Sequence, residues 1–169
     1  MCIYKSIIPT TKTTTFALLL CLLTSCGFAL RGDYRIAPEL QRLFVSSTDI
    51  HGELTRQLKQ QLALSKVQVV KTYTSETPEL RLLKDSLDRR TLSVFDNGQV
   101  AEYELIYTVR YQLRLPNSEP QPFTFEINRD YQDDPDRALA KSRELKLILS
   151  EMRKQAATNI VRNIASIQP

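Results

Sequence analysis

The chain has no tryptophan, one histidine, four glycines and three cysteines among its 169 residues, and each scarcity removes a class of chemistry. Gly27, Gly32, Gly52 and Gly98 can spell neither GxxxxGK nor GxGxxG, so both glycine-rich phosphate cradles are excluded. The one imidazole, His51, leaves no His pair for a metal, no Cys–His nucleophile and no Ser–His–Asp triad. It reads as a solvated residue at a helix start. Charge of one sign is scarce too: 23 Lys and Arg against 19 Asp and Glu give +4, with no run of five basic residues. The footprint of a nucleic-acid-binding protein is missing. The expectation is a protein that is not an enzyme, with no metal and no nucleic-acid partner.

What is present begins at the amino terminus. Residues 1–15 carry Lys5 and Lys12 and no acid, and Phe16 to Leu23 is an unbroken apolar run of eight. A membrane span needs about 20 such residues, so the segment reads as the charged and apolar regions of a secretory signal. Leu23, Thr24, Ser25 and Cys26 follow, an aliphatic residue, two small ones and a cysteine. This pattern resembles the lipobox of bacterial lipoproteins. It implies removal of residues 1–25, a diacylglycerol on the Cys26 thiol and an acyl chain on its new amine, with no other cofactor. Two or more chains are enough for stable anchoring, at about 0.8 kcal/mol per buried methylene. Gly27, and not Asp, after the cysteine resembles lipoproteins forwarded to the outer membrane. A plain signal peptide cut after Ser25, with an incidental cysteine, is the alternative.

Removing the signal takes away Lys5 and Lys12, so the charge falls from +4 to +2, and Cys2 and Cys21 go with it. With Cys26 acylated no disulfide can form, and stability must come from core packing. The expected organisation is signal peptide over 1–25, lipidated terminus and tether over 26–38, and one α+β domain over 39–166.

Residues 40–46 read as a short strand and 67–73 as a second. Between them Leu54, Leu58 and Leu62 recur every four residues, predicting an amphipathic helix over about 50–64 with Ser47, Thr48 or Asp49 as cap. Residues 79–95 suggest a long strand with an irregular centre, because Leu83 and the charged run Asp88, Arg89, Arg90 interrupt its alternation. Over 100–115 alternation is cleanest: Tyr103, Leu105, Tyr107, Val109, Tyr111, Leu113 and Leu115 are all apolar, and Ile106 alone breaks the polar set between them. That polar face suits either solvent or a polar partner. Asn97-Gly98 before it predicts a type I′ hairpin. The prolines all fall between periodic segments, and Pro116, Pro120 and Pro122 mark a second hairpin before a strand at 123–128. A helix of about 30 residues follows Asp134 as cap and Pro135 at its first position. Its predicted stripe is Leu139, Leu145, Ile148, Leu149, Met152, Ala156, Ile160 and Ile164. Asp133, Asp134 and Asp136 read as helix-start acids, with a cation site as the alternative. The layers predict a two-layer α+β sandwich, two helices on one face of a mainly antiparallel sheet of about four strands.

Three ordered segments resemble the lipopolysaccharide-assembly lipoprotein family LptE: Cys26 to Gly32, Ser93 to Tyr103 and Pro135 to Lys141. The resemblance extends over essentially all of 26–166. It implies two helices on a four-stranded sheet, and an outer-membrane lipoprotein that plugs the LptD β-barrel, assists its assembly and binds lipopolysaccharide. Lys141 matches a basic position near the lipid-binding end, close in the fold to the Asn97-Gly98 turn. Arg137 and Arg129 are further candidates, each equally readable as an ordinary solvated charge. The chain departs from the family pattern at Asp96, where relatives carry a basic residue. The alternative is a freestanding lipoprotein acting as a lipid or glycan carrier, which predicts a closed apolar pocket. A lipid-anchored hydrolase is disfavoured by the missing nucleophile–base pairs.

Overall fold

The computed structural model describes residues 36–167. The signal segment, Cys26 and the first part of the tether lie outside the described residues. Of the tether's last residues, Ile36 is buried in the core and Pro38–Leu40 forms a 3-10 turn with Leu40 fully buried.

The elements run β1 (Arg42–Ser47), α1 (Glu53–Leu64), β2 (Gln68–Val70), β3 (Glu79–Val94), β4 (Val100–Arg114), β5 (Gln121–Gln132), the 3-10 turn Pro135–Arg137 and α2 (Ala138–Ser166). The sheet has five strands in the order β2-β1-β3-β4-β5, not about four. β1 is parallel to both β2 and β3, whereas β3, β4 and β5 are antiparallel. The extra strand is β2. It keeps only three residues of the predicted 67–73 because its register ends at Phe44 opposite Val70.

The alternation in β4 sets the layers. Leu105, Tyr107, Val109, Tyr111 and Leu113 are buried and form one core with Leu43 and Val45 of β1, Leu80 and Leu82 of β3, and Ile127 and Tyr131 of β5. Leu54, Leu58 and Leu62 of α1 and Met152, Ala156, Ile160, Val161 and Ile164 of α2 close that core. Both helices therefore cover the same face, as two amphipathic helices and a one-sided sheet require.

Three local expectations change. α1 begins at Glu53, three residues late, with Gly52 as N-cap. The residues predicted to cap it instead build the loop before it: the Asp49 carboxylate accepts from the His51 amide, and Thr55 donates to the Asp49 carbonyl. The β3–β4 turn is not type I′, since Gly98 has φ +82° but Asn97 does not have a positive φ. Gly98 N–H donates to the Phe95 carbonyl and Phe95 N–H to Gln99, the pattern of a type I turn closed by a left-handed glycine. The Asn97 side chain accepts from the Gln99 amide, which favours this three-residue loop. Finally, Pro122 lies inside β5. A proline without an N–H is tolerated there because β5 is an edge strand.

Candidate functional site

The sheet has two unlike ends. At the proximal end β1, β2 and α1 close the core. At the distal end lie the β3–β4 turn, the end of β5 and the start of α2. α2 is about 44 Å long, and all its buried residues fall between Met152 and Ile164. Leu139, expected in the buried stripe, is 69% exposed, because the first half of α2 overhangs the core. Leu145, Ile148 and Leu149 pack only partly against it.

A charged clasp marks the change between the two halves. The Glu53 carboxylate accepts from the Ser150 hydroxyl at 2.6 Å and pairs with the Arg153 guanidinium, joining α1 to α2. The Ser150 bond leads in holding the Glu53 carboxyl below its ordinary value, with Arg153 adding to it against the opposing effect of burial. Arg153 Nε also lies 4.0 Å from Asp85, whose carboxylate accepts from the Tyr107 hydroxyl at 2.7 Å. Burial, with the Asp85 carboxylate, pushes the Tyr107 phenol well above its ordinary value.

Beyond the clasp, aromatic rings carry cations. Tyr103 on β4 lies opposite Tyr131 on β5. The Tyr131 hydroxyl donates to the Lys141 carbonyl at 3.0 Å, which fastens the first turn of α2 to the edge strand. The Lys141 ammonium sits 4.6 Å from the Tyr131 ring centroid and 2.8 Å from Glu144. Burial raises the Tyr131 phenol, and the nearby Lys141 charge offsets part of that rise. Arg129, opposite Leu105, donates to Gln155 at 3.2 Å. Arg137 is exposed in the 3-10 turn. Asn97 and Gly98 are exposed at the β3–β4 turn, at this same end of the sheet. Asp134 caps the 3-10 turn by accepting from the Asp136 amide, and no group of three metal-ligating side chains occurs among the described residues.

Arg89 is the residue missed by the sequence reading. The β3–β4 register slips between Leu82 and Lys84, leaving Leu83 as an extra residue. Leu80 and Leu82 face the helices before the slip. After it the parity reverses, so Leu87 and Arg89 lie opposite the helix-facing Tyr107 and Leu105. The Arg89 guanidinium stands 5.9 Å from the Tyr103 ring centroid. Arg90 turns the other way and pairs with Glu104. The adjacent leucines Leu82 and Leu83 were the available signal, since they break a period of two.

The sheet face away from the helices is knitted by polar cross-strand pairs. Arg114 meets Glu79 at 2.6 Å, Asn128 donates to Glu104, and Ser93 donates to Glu102. Arg114 also lies 4.8 Å from the Tyr73 ring centroid. At the proximal end a groove of about 610 Å³ mixes Glu39, Arg42, Lys71 and Glu76 with Val70 and Pro78 in its lining, unlike a closed apolar pocket. No described helix is long and apolar enough to cross a membrane.

Comparison with known proteins places this architecture. The family model LptE, described as lipopolysaccharide-assembly, matches residues 40–164. The chain is 37% identical to the LPS-assembly lipoprotein LptE of Pectobacterium atrosepticum, over 92% of this chain and 85% of that protein. The chain belongs to the LptE family. The protein of the same name from Yersinia enterocolitica is 41% identical over 82% of this chain and 68% of its own length. Among solved structures, rare lipoprotein B from Shewanella oneidensis is 51% identical, with a TM-score of 0.69 over 74% of this chain and 94% of that one. Lipoprotein B from Nitrosomonas europaea, at 22% identity and TM-score 0.66 over 83% of this chain and 91% of that one, shares the fold. The LptE match covers nearly all the described residues, both ends of the sheet included.

Proposed function

We propose that the protein is a lipopolysaccharide-assembly subunit of the outer membrane. Its anchor is the lipid on Cys26, its partner is the LptD β-barrel, and its ligand is lipopolysaccharide. The similarity to LptE proteins along 92% of the chain carries this reading. Two features of the fold support it. Large barrels enclose polar lumens, so a plug must offer hydrogen-bonding surface, and the sheet face away from the helices is a ladder of polar pairs. A lipid phosphate needs fixed cations, and Lys141 is fixed by the Tyr131 ring beneath it and the Tyr131 hydroxyl bond to its backbone.

Affinity purification of the full chain from solubilised outer membrane tests the partner. Recovery of a large β-barrel is expected, and a stable, barrel-free monomer overturns the plug reading in favour of a freestanding carrier. Direct titration with lipopolysaccharide tests the ligand. Lys141→Ala should weaken binding more than Arg137→Ala, because Arg137 is exposed in a short turn. Equal affinities refute the ranking.

A further inference from the structure

The hairpin tip carries Asp96, Asn97 and Gly98, and the carboxylate there opposes an anion. The cations lie behind it, on the helix-facing side of the sheet. Arg89 and Lys141 stand over the rings of Tyr103 and Tyr131, which are directly opposed in neighbouring strands. Opposed side chains start about 5 Å apart at Cβ, so the two cation-bearing tyrosines are neighbours across the β4–β5 pair, and the Arg89 charge reaches the Tyr131 phenol as well.

Lys141 is already occupied. Its side chain is 15% exposed, and its ammonium is held by the half-exposed carboxylate of Glu144, one turn along the same helix. A helix pair of this spacing, with its carboxylate half in water, contributes little. A phosphate monoester brings nearly two negative charges and three acceptor oxygens where the carboxylate brings one charge, so it competes well for the same ammonium. Exposed apolar residues share the distal end: Leu139 and Leu147 on α2, and Leu92, Val94 and Phe95 at the end of the β3–β4 hairpin. Cations beside exposed apolar groups suit an amphiphile better than a free anion.

We propose that Arg89 and Lys141, on the opposed residues Tyr103 and Tyr131, hold the phosphate of a lipid, and that Glu144 is an internal counterion that this phosphate displaces. The proposal rests on the lipopolysaccharide reading above and adds to it a residue, Arg89, and a competitor, Glu144. The Leu83 bulge is what makes the site available, since without it Arg90 and not Arg89 would face the helices.

The test uses the full lipidated chain in detergent, titrated with lipopolysaccharide, with enzymatically dephosphorylated lipopolysaccharide and with inorganic phosphate. Arg89→Ala should weaken binding of intact lipopolysaccharide by about tenfold, the scale of one charge-assisted contact. Arg89→Lys should restore most of it, and Glu144→Gln should tighten binding by about threefold, in line with a weak exposed pair. Binding of the dephosphorylated lipid should respond to none of the three, which also controls for folding. Intact lipopolysaccharide binding equally to wild type and Arg89→Ala overturns the proposal, as does weakened or unchanged binding by Glu144→Gln. Inorganic phosphate competing as strongly as the lipid overturns the lipid as ligand. Wild type failing to bind lipopolysaccharide at all is a different result, and overturns the ligand reading on which the proposal rests.

Discussion

The two halves of α2 have similar lengths and follow the same sheet face, yet they are held differently. From Met152 to Ile164 six residues are buried, four of them with no exposed surface, whereas from Ala138 to Glu151 none is buried. Apolar contact holds the second half. The first half has only the partial packing of Leu145, Ile148 and Leu149 and two polar points, the Tyr131 hydroxyl on the Lys141 carbonyl and the Ser150 hydroxyl on Glu53, where Arg153 joins from the second half. Apolar packing is non-directional and dense, so it builds a foundation. The first half leaves Leu139 and Leu147 exposed.

Three perturbations bear on that contrast, in decreasing size. Ile160→Ala in the packed half should cost about 2–5 kcal/mol, a buried-cavity penalty, whereas Leu139→Ala in the overhanging half should stay within about 0.5 kcal/mol. Urea unfolding of the two variants measures the difference, and similar losses would mean that the halves are equally packed.

Arg153→Ala should cost about 1–2 kcal/mol, because it strips a charge-assisted partner from Glu53 and leaves Asp85 with the Tyr107 hydroxyl alone. The partly solvated setting of the clasp keeps the loss below that of a deeply buried pair. The clasp also predicts a pH dependence. Glu53 is depressed below its ordinary 4.5 in the folded state, so its contribution is full above that value and is lost as pH falls through the folded value. A Glu53→Gln variant should lose less stability than wild type between pH 5 and pH 3, measured by denaturant midpoints at each pH. Parallel curves would remove Glu53 from the account.

Gly98→Ala should cost about 1 kcal/mol, because φ of +82° is strained for an L side chain although the space around it is open. The loss should appear in thermal melts while the core half of α2 keeps its hydrogen-exchange protection. Loss of protection there would mean that the hairpin tip and the core unfold as one unit.

Much of the fold was legible because its signals are local. The six alternating apolar residues of β4, Tyr103 to Leu113, could face only one way, and Leu54, Leu58 and Leu62 could form only a helix stripe. Asp134 and Pro135 marked the start of the last helical stretch, although the first three residues after the cap wind as a 3-10 turn. Lys141 was reached through family resemblance, and the structure adds the ring and carboxylate that hold it. Arg89 was not reached. Its side of the sheet depends on counting past an extra residue, and nothing local says whether Leu83 is skipped or paired.

The sequence by itself determined the layers, the hairpin positions, the expected lipid anchor and the shortage of catalytic groups, since each follows from residue type and period. Only the tertiary structure decided that β2 is a brief parallel edge, that half of α2 overhangs, and that Arg89 and Lys141 stand over the opposed residues Tyr103 and Tyr131. Those outcomes depend on register and on contacts between separate elements, and a one-residue slip in a strand moves every later side chain to the opposite face.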